Sequence, residues 1–298
     1  MSELNPSIVE SVSRPQNGPR IFISAAEPSG DQHAAGLIRQ ILKICPQASF
    51  FGIAGPDMRS AGCQPIDDLT DRSAMLLGAI SLVRHGYKLL RQVRRLLLAG
   101  RVNLAILVDS PALHLPMAKR AKAAGCPVLY YIAPQLWAWA PWRIRRVRRL
   151  VDRLAAILPF EEAYFRQRGV NVHYVGHPLI EQLAEAEPSA KAVQALKDLG
   201  QPVVACLPGS RTHVIEEVLP GQVKVAQAIA DRHPDAIFLF SAANEQSINI
   251  IGNALNQTNL KSRMVIDRNM EVLSAADLAL CASGTATLEV AYYQVPMV

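Results

Sequence analysis

From residue 20 onward, short apolar runs alternate with segments in which apolar residues recur every three or four positions. Such runs predict strands buried on both faces, and the 3.6-residue period predicts helices that cover them. In the first half we expect strands at 20–24, 49–53, 104–108, 128–131, 154–158 and 172–175, and helices at 32–42, 82–98, 116–124, 142–150 and 161–167. In the second half we expect strands at 203–207, 237–240, 264–266 and 278–281, and helices at 216–232, 245–255 and 287–293. This alternation predicts an α/β fold with parallel sheets.

The same pattern divides the chain into a tail and two domains. Residues 1–18 are polar and lack the apolar stretch of a signal peptide, so we expect a flexible tail. Residues 181–197 turn polar and predict a linker leading into a helix, after which the strand–helix pattern restarts. We therefore expect Rossmann-like domains at 19–185 and 186–298. Because residues 295–298 resemble the start of another buried strand, we expect the second domain to be incomplete.

A strand that runs into a Gly/Ser-bearing loop and then a helix occurs once at the start of each domain. The two loops are Glu27-Pro-Ser-Gly-Asp31 and Leu207-Pro-Gly-Ser-Arg211. Such turns present free backbone N–H groups and a positive helix end, which bind anions. They predict a phosphate-bearing ligand in a cleft between two facing domains. The binding candidates in these loops are Glu27, Ser29, Gly30, Asp31, Gly209, Ser210 and Arg211, with helix capping as the alternative for Asp31.

A matching turn, Ser283-Gly-Thr285, follows a later strand of the second domain, and its hydroxyl and N–H groups suit a diphosphate. Glu289, almost two turns into the next helix, is a candidate to accept hydrogen bonds from ribose hydroxyls, or is simply exposed to solvent. In the first domain Asp109 follows the apolar run 104–108, where ligands of α/β sheets bind. Asp109 is either a general base for a sugar hydroxyl or a helix cap. His114 either shares the proton transfer or is structural.

Basic and aromatic residues are clustered, within a net charge of +6. Arg84, Lys88, Arg91 and Arg95 form one stripe of the amphipathic segment 81–101, and Trp137-Ala-Trp-Ala-Pro-Trp142 leads into five arginines at 143–149. This combination is typical of a membrane-surface site. A helix packed on the core with a solvated basic face is the alternative. A nucleic-acid interface is a weaker one, because no recognised nucleic-acid-binding module accompanies the patch.

The cysteine spacing and the hydropathy of the chain indicate the cellular compartment that we expect for it. The five cysteines are widely spaced and form no CxxC pair, so they indicate neither a zinc site nor a disulfide framework, and a reducing cytoplasm is expected. No apolar run reaches the roughly 18 residues of a membrane span.

Taken together, the motifs resemble those of the lipid-A-disaccharide synthase family, in order and over nearly all of the chain from residue 20. The matching stretches are Ala26–Asp31, Gly52–Met58 with Ala61–Cys63, Asp109–Pro111, Tyr131–Trp139, Leu158–Glu161, Val175–His177, Leu207–Arg211 and Ala282–Glu289. The resemblance implies the GT-B fold, with the active site between two Rossmann-like domains.

The reaction that the resemblance implies is an inverting, metal-free transfer of 2,3-diacylglucosamine from UDP to 2,3-diacylglucosamine 1-phosphate, with no cofactor. The product is the β-1,6-linked disaccharide 1-phosphate of lipid A assembly. Asp109 matches the candidate base, Arg211 the arginine at UDP, and the segments 27–31 and 283–289 the substrate cleft. Gln135, Trp137 and Trp139 are further substrate-binding candidates, and residues 76–98 with the two tryptophans are candidates for an acyl-binding surface. The family is peripheral on the inner membrane.

Two departures leave alternatives open. Ala112 and His114 stand where the family commonly has an acid and an asparagine, so His114 is a candidate to take over part of their role. The family also extends well beyond the match to Val298. A UDP-N-acetylglucosamine 2-epimerase-like enzyme and a non-catalytic, membrane-associated remnant are the competing hypotheses. The acyl-chain preference and the oligomeric state are left open.

Overall fold

The computed structural model describes residues 18–67, 89–98, 102–209, 212–242 and 244–298. Within them the chain divides into two compact units, and the boundary along the chain lies between Pro178 and Leu179. The sequence prediction put this boundary at 185/186. A helix at Pro178–Glu185 occupies the intervening residues.

Unit 1 contains a seven-stranded parallel sheet. Its strands are β1 Arg20–Ala25, β2 Ser49–Ile53, β3 Cys63–Asp67, β4 Leu104–Val108, β5 Val128–Tyr131, β6 Arg153–Ala156 and β7 Val172–Tyr174. Their order across the sheet is β3-β2-β1-β4-β5-β6-β7, and every pairing is parallel. The strand order therefore reverses between β1 and β4, and this switch point is where such sheets bind ligands.

The helices of unit 1 are α1 Pro28–Ile44, α2 Pro56–Ser60, α3 Pro111–Ala123, α4 Leu136–Trp139, α5 Ile144–Leu150 and α6 Pro159–Arg166, with a 3₁₀ turn at Pro141–Arg143. Residues 89–98 are also helical. Two apolar clusters lie on opposite faces of the sheet, one around Phe22, Leu107 and Tyr130 and the other around Ile23, Ile38 and Ile106. Apolar strands covered on both faces are confirmed.

Strand β3 is missing from the sequence prediction. It lies at the edge of the sheet and contains Pro65, and Gln64 and Pro65 are exposed. An edge strand tolerates proline and does not need a continuous apolar run, so its sequence lacks the signal used for the other strands.

Unit 2 contains a four-stranded parallel sheet. Its strands are β8 Val203–Leu207, β9 Ile237–Ala242, β10 Ser262–Ile266 and β11 Leu278–Cys281, in the order β10-β9-β8-β11. The helices are α7 Pro178–Glu185, which begins one residue before the boundary, α8 Ala190–Lys197, α9 Thr212–Ala230, α10 Glu245–Leu255, α11 Asn269–Ala275 and α12 Ala286–Tyr292. Met297 forms an isolated parallel bridge with Ala279 of β11.

Two of the differences between the predicted and the observed helices concern the segment 181–197 and the start of α3. The predicted linker 181–197 contains helices α7 and α8, whose buried Leu179, Leu183 and Leu196 give them apolar contacts. Helix α3 begins at Pro111 and not at Pro116. Proline suits a first helical turn, and Pro111 has that position here, whereas Pro116 lies inside the helix.

Within the described ranges, no helix combines the length and the apolar character that crossing a bilayer requires.

Candidate active site

Two carboxylates mark the switch point of unit 1. Glu27 follows β1 and Asp109 follows β4, and these are the two strands between which the order reverses. The Ser110 hydroxyl donates to Oε1 of Glu27 across 3.4 Å, which links the two loops. The structure therefore brings together Glu27 and Asp109, which the sequence prediction treated separately.

Asp109 lies in a backbone conformation that few residues adopt. Its φ is +51° and that of Ser110 is +41°, both in the left-handed region although neither residue is glycine. Burial raises the pKa of the Asp109 carboxyl, the N–H of Ser110 opposes this effect, and the negative charge of Glu27 adds to it. A half-buried carboxyl with an elevated pKa, at the strand end of a parallel sheet, has the character of a general base.

His114 lies behind Asp109, on helix α3, and is fully buried. Its Nδ1 donates to the main-chain carbonyl of Asp109 at 2.7 Å, and its Nε2 lies 2.9 Å from the Ser24 hydroxyl. Burial lowers the pKa of His114 to about 4. Because both ring nitrogens are bonded inside the protein, the hypothesis that His114 shares the proton transfer is corrected: the residue contacts Asp109 from the core side.

Asp31 is also buried, with 1% of its surface exposed. Its Oδ1 accepts from the N–H of Gly55 at 2.8 Å and of Met58 at 3.4 Å, and its Oδ2 accepts from the N–H of Asp57 at 2.8 Å. Asp31 therefore caps helix α2. These contacts favour the alternative of helix capping over substrate binding, although the capped helix is α2 and not the helix that contains Asp31.

Replacing Asp31 with alanine is expected to lower the free energy of unfolding by about 1–3 kcal/mol, because buried N–H donors lose their acceptor. Urea titration measures this loss. Asp57→Ala is the control, since the exposed side chain of Asp57 lies on the capped helix itself. A variant of unchanged stability but weakened substrate binding would restore the binding role.

The remaining candidates of the first turn have different surroundings. Gly30 is buried, and a Cβ there would lie 3.6 Å from the Cβ of Ala25 and 3.8 Å from Val108. The first turn of helix α1 thus packs closely on β1 and β4. Ser29 is exposed in that turn, where its polar atoms are accessible to a ligand.

The switch point of unit 2 lies between β8 and β11. Gly209 follows β8 with a φ of +106°, which a residue with a side chain would adopt only under strain. Ser283, Gly284 and Thr285 follow β11 and are exposed. The buried Gln222 donates to the carbonyls of Leu207 and Leu280, tying the two strands together. Ser210 and Arg211 lie outside the described residues.

Glu289 is half-buried on helix α12. Its Oε2 accepts from Nδ2 of Asn269 at 3.1 Å, and Asn269 in turn contacts the hydroxyl of Ser241. Burial raises the pKa of Glu289, and the bond from Asn269 opposes this. Neither Asn269 nor Ser241 was predicted, since a lone polar residue near a strand end has no distinctive spacing.

The aromatic segment of unit 1 has one anchored and two exposed tryptophans. Trp137 donates from Nε1 to Glu161 at 3.2 Å and packs edge-on against Phe160. Trp139 and Trp142 are 49% and 69% exposed, and the guanidinium of Arg143 lies 5.1 Å from the ring centre of Trp139. Four arginines of helix α5 are exposed, while its Ile144, Val147 and Leu150 face the core. Gln135 is exposed next to this segment.

The positions of residues 89–98 correct part of the prediction that segment 76–98 forms an acyl-binding surface. Leu89, Val93, Leu96 and Leu97 are buried in the core of unit 1, so they are not available to acyl chains. Residues 68–88, which include Arg84 and Lys88, lie outside the described residues. The exposed apolar surface in this unit includes Trp139, Trp142 and Phe160, the last of which the sequence prediction missed.

Two Rossmann-like units with glycine-bearing turns at their switch points define an α/β protein of the GT-B-like class. Solved structures agree on the fold. S. aureus MnaA with UDP has a TM-score of 0.65 at 11% identity, covering 94% of this chain and 78% of that one. A putative UDP-N-acetylglucosamine 2-epimerase from Listeria monocytogenes has a TM-score of 0.65 at 12% identity, with the same coverage.

The sequence comparisons identify the family. The family model described as lipid-A-disaccharide synthetase matches residues 21–298. The lipid-A-disaccharide synthase of Nitrosococcus oceani is 38% identical over 289 residues, and that of Geobacter sulfurreducens is 37% identical over 284. These matches cover 95% and 94% of this chain and 73% of each relative. The chain belongs to the lipid-A-disaccharide synthase family, and its function is that of a glycosyltransferase of lipid A biosynthesis.

Proposed function

We propose that this enzyme transfers 2,3-diacylglucosamine from its UDP ester to the 6-hydroxyl of 2,3-diacylglucosamine 1-phosphate. The products are the β-1,6-linked disaccharide 1-phosphate and UDP. Besides family membership, the observation that carries this proposal is the Asp109 carboxyl at the β1/β4 switch point, half-buried and close to Glu27.

Asp109 is the general base of this reaction. Its carboxylate takes the proton of the acceptor hydroxyl while that oxygen forms a bond to the anomeric carbon of the donor. The bond from the anomeric carbon to the diphosphate oxygen breaks, and UDP leaves with the electron pair. Attack opposite to the leaving group inverts the anomeric centre. The elevated pKa of Asp109 makes its carboxylate a stronger base than an exposed one.

Unit 2 binds the UDP moiety in this proposal. The backbone N–H groups after Gly209, the hydroxyls of Ser210, Ser283 and Thr285, and the guanidinium of Arg211 compensate the charge that develops on the diphosphate. The half-buried Glu289 accepts hydrogen bonds from the ribose. Support comes from the two turns that follow the adjacent strands β8 and β11.

The exposed aromatic and basic surface of unit 1 holds the enzyme on the cytoplasmic face of the inner membrane, where diacylated substrates reside. Trp139, Trp142 and Phe160 suit the interface between headgroups and acyl chains. The exposed arginines of helix α5 attract anionic headgroups. The two substrates can then enter without leaving the bilayer surface.

The double variant Arg145→Gln/Arg146→Gln is expected to bind anionic vesicles roughly 20–30-fold more weakly, at about 1 kcal/mol per basic residue near the leaflet. Cosedimentation with phosphatidylglycerol-containing vesicles at low salt measures the difference, which high salt should reduce by screening. Arg232→Gln, an exposed arginine of unit 2, is the control. Equal binding of all three proteins would refute the membrane role of helix α5.

A donor assay separates this activity from that of an epimerase. The purified enzyme is incubated with UDP-2,3-diacylglucosamine plus the acylated acceptor and, in parallel, with UDP-N-acetylglucosamine alone. The proposal predicts UDP release only when both acylated substrates are present. Formation of the C2 epimer of UDP-N-acetylglucosamine would favour the competing function instead.

A further inference from the structure

Three buried polar side chains lie directly behind Asp109. Ser24 lies on β1, Tyr130 on β5 and His114 on α3, and none of the three side chains is exposed. Ser24 and Tyr130 both pair in register with Leu107 of the intervening strand β4, so they approach Asp109 from the two neighbouring strands. Polar side chains in the middle of an apolar sheet require a partner.

Their partner is the main chain of Asp109. The Asp109 carbonyl accepts one hydrogen bond from the Tyr130 hydroxyl at 2.5 Å and a second from Nδ1 of His114 at 2.7 Å. Both lone-pair positions of this oxygen are therefore used. The bonds converge on the first of two consecutive non-glycine residues with positive φ. Such a conformation persists only where the surrounding structure holds it.

The protonation state of His114 follows from its contacts. Nδ1 faces a carbonyl oxygen and must carry the proton, so Nε2 is the acceptor and the Ser24 hydroxyl is its donor at 2.9 Å. Burial lowers the pKa of His114 to about 4, so the ring remains neutral at physiological pH. The Asp109 carbonyl thereby fixes the tautomer, and Ser24 helps to fix the orientation of the imidazole.

We propose that His114 is a positioning residue, which acts with Ser24 and Tyr130 to aim the Asp109 carboxylate by holding the main-chain carbonyl of Asp109. The role rests on the proposed function, in which Asp109 is the base. Without the bond from His114, the Asp109–Ser110 segment relaxes away from the left-handed region. The carboxylate then loses its position relative to the acceptor hydroxyl.

Two replacements of His114 each remove one of its two hydrogen bonds and keep the other. An asparagine places its amide nitrogen near the position of Nδ1, so it keeps the donor to Asp109 and leaves Ser24 without an acceptor. A glutamine places its amide near Nε2, so it reaches Ser24 and leaves Asp109 without this donor. Each variant breaks one buried hydrogen bond, and they are therefore matched in their structural cost.

His114→Gln is expected to lower kcat by about 10–100-fold with the affinity for UDP unchanged, because the misplacement of a reacting group affects the chemical step. His114→Asn is expected to retain kcat within about threefold of the wild type on the same reasoning. Tyr130→Phe, which removes the second donor, should lower kcat like His114→Gln. His173→Gln, at an exposed position of β7, is the control.

The pH profile gives a readout that loss of stability would not move. Relaxation exposes the Asp109 carboxyl to water and lowers its pKa, so the acid limb of kcat/KM should shift to lower pH in His114→Gln but not in His114→Asn. Equal kcat and equal acid limbs in the two folded variants would overturn the proposal. Asp109→Asn is measured beside them. Full activity of Asp109→Asn would refute the role of Asp109 as general base. An inactive Asp109→Asn together with a fully active His114→Gln would refute the positioning role of His114 alone.

Discussion

Replacing Asp109 with asparagine is expected to lower kcat by about 10²–10⁴-fold, the usual contribution of a general base, while the affinity for UDP stays unchanged. Asparagine preserves the size and the main-chain hydrogen bonds of this position but cannot take a proton. Steady-state kinetics with both acylated substrates, beside isothermal titration with UDP, separate these two effects.

The pH dependence of kcat/KM in the wild type provides a second test of Asp109 as general base. A protonated base is inactive, so kcat/KM should fall as the pH drops through the pKa of Asp109, which burial raises above its ordinary value. The fall should therefore begin at a higher pH than an exposed aspartate would give. Asp57→Asn, at an exposed position of the same unit, should keep normal kinetics. Near-normal turnover of Asp109→Asn would refute its role as base.

Replacing Arg211 with alanine is expected to weaken UDP binding by about 1.5–3 kcal/mol, the range of a hydrogen bond to a charged group. This corresponds to roughly 10–200-fold in Kd. An arginine guanidinium can form bidentate bonds with phosphate oxygens, which an alanine cannot replace and which a lysine replaces only in charge. Arg211→Lys should therefore bind UDP with intermediate affinity.

Isothermal titration with UDP measures these affinities directly. Arg232→Ala is the matched control, because Arg232 is an exposed arginine elsewhere in unit 2. If Arg211→Ala and Arg232→Ala bind UDP equally well, Arg211 has no part in donor recognition.

Much of the fold is predictable from hydrophobic periodicity alone. Strands β8 and β11 and helix α10 have the predicted bounds, because each is an uninterrupted apolar or amphipathic segment with clear ends. The missed elements are those with weak periodicity. Edge strand β3 contains a proline, and helices α2, α4 and α11 have five, four and seven residues, too few to establish a period.

In the candidate site, the sequence predicts only those residues whose location follows from their place directly after a buried strand. Glu27, Asp109 and Gly209 follow buried strands, and all three lie at switch points of the sheets. The sequence cannot reveal where a side chain points after the turn. Asp31 and His114 both lie within a few residues of the loops at the switch point. Asp31 is bonded to the backbone of Gly55, 24 residues away, and His114 turns back from helix α3 to the main-chain carbonyl of Asp109, which the sequence alone does not indicate.

The most direct measurement is product analysis after incubation of the enzyme with UDP-2,3-diacylglucosamine and radiolabelled 2,3-diacylglucosamine 1-phosphate. We predict equimolar UDP and a labelled tetraacyl disaccharide 1-phosphate, with a β-1,6 linkage by NMR. The labelled acceptor recovered unchanged from a folded, UDP-binding enzyme, or a disaccharide of retained α configuration, would contradict direct displacement assisted by Asp109.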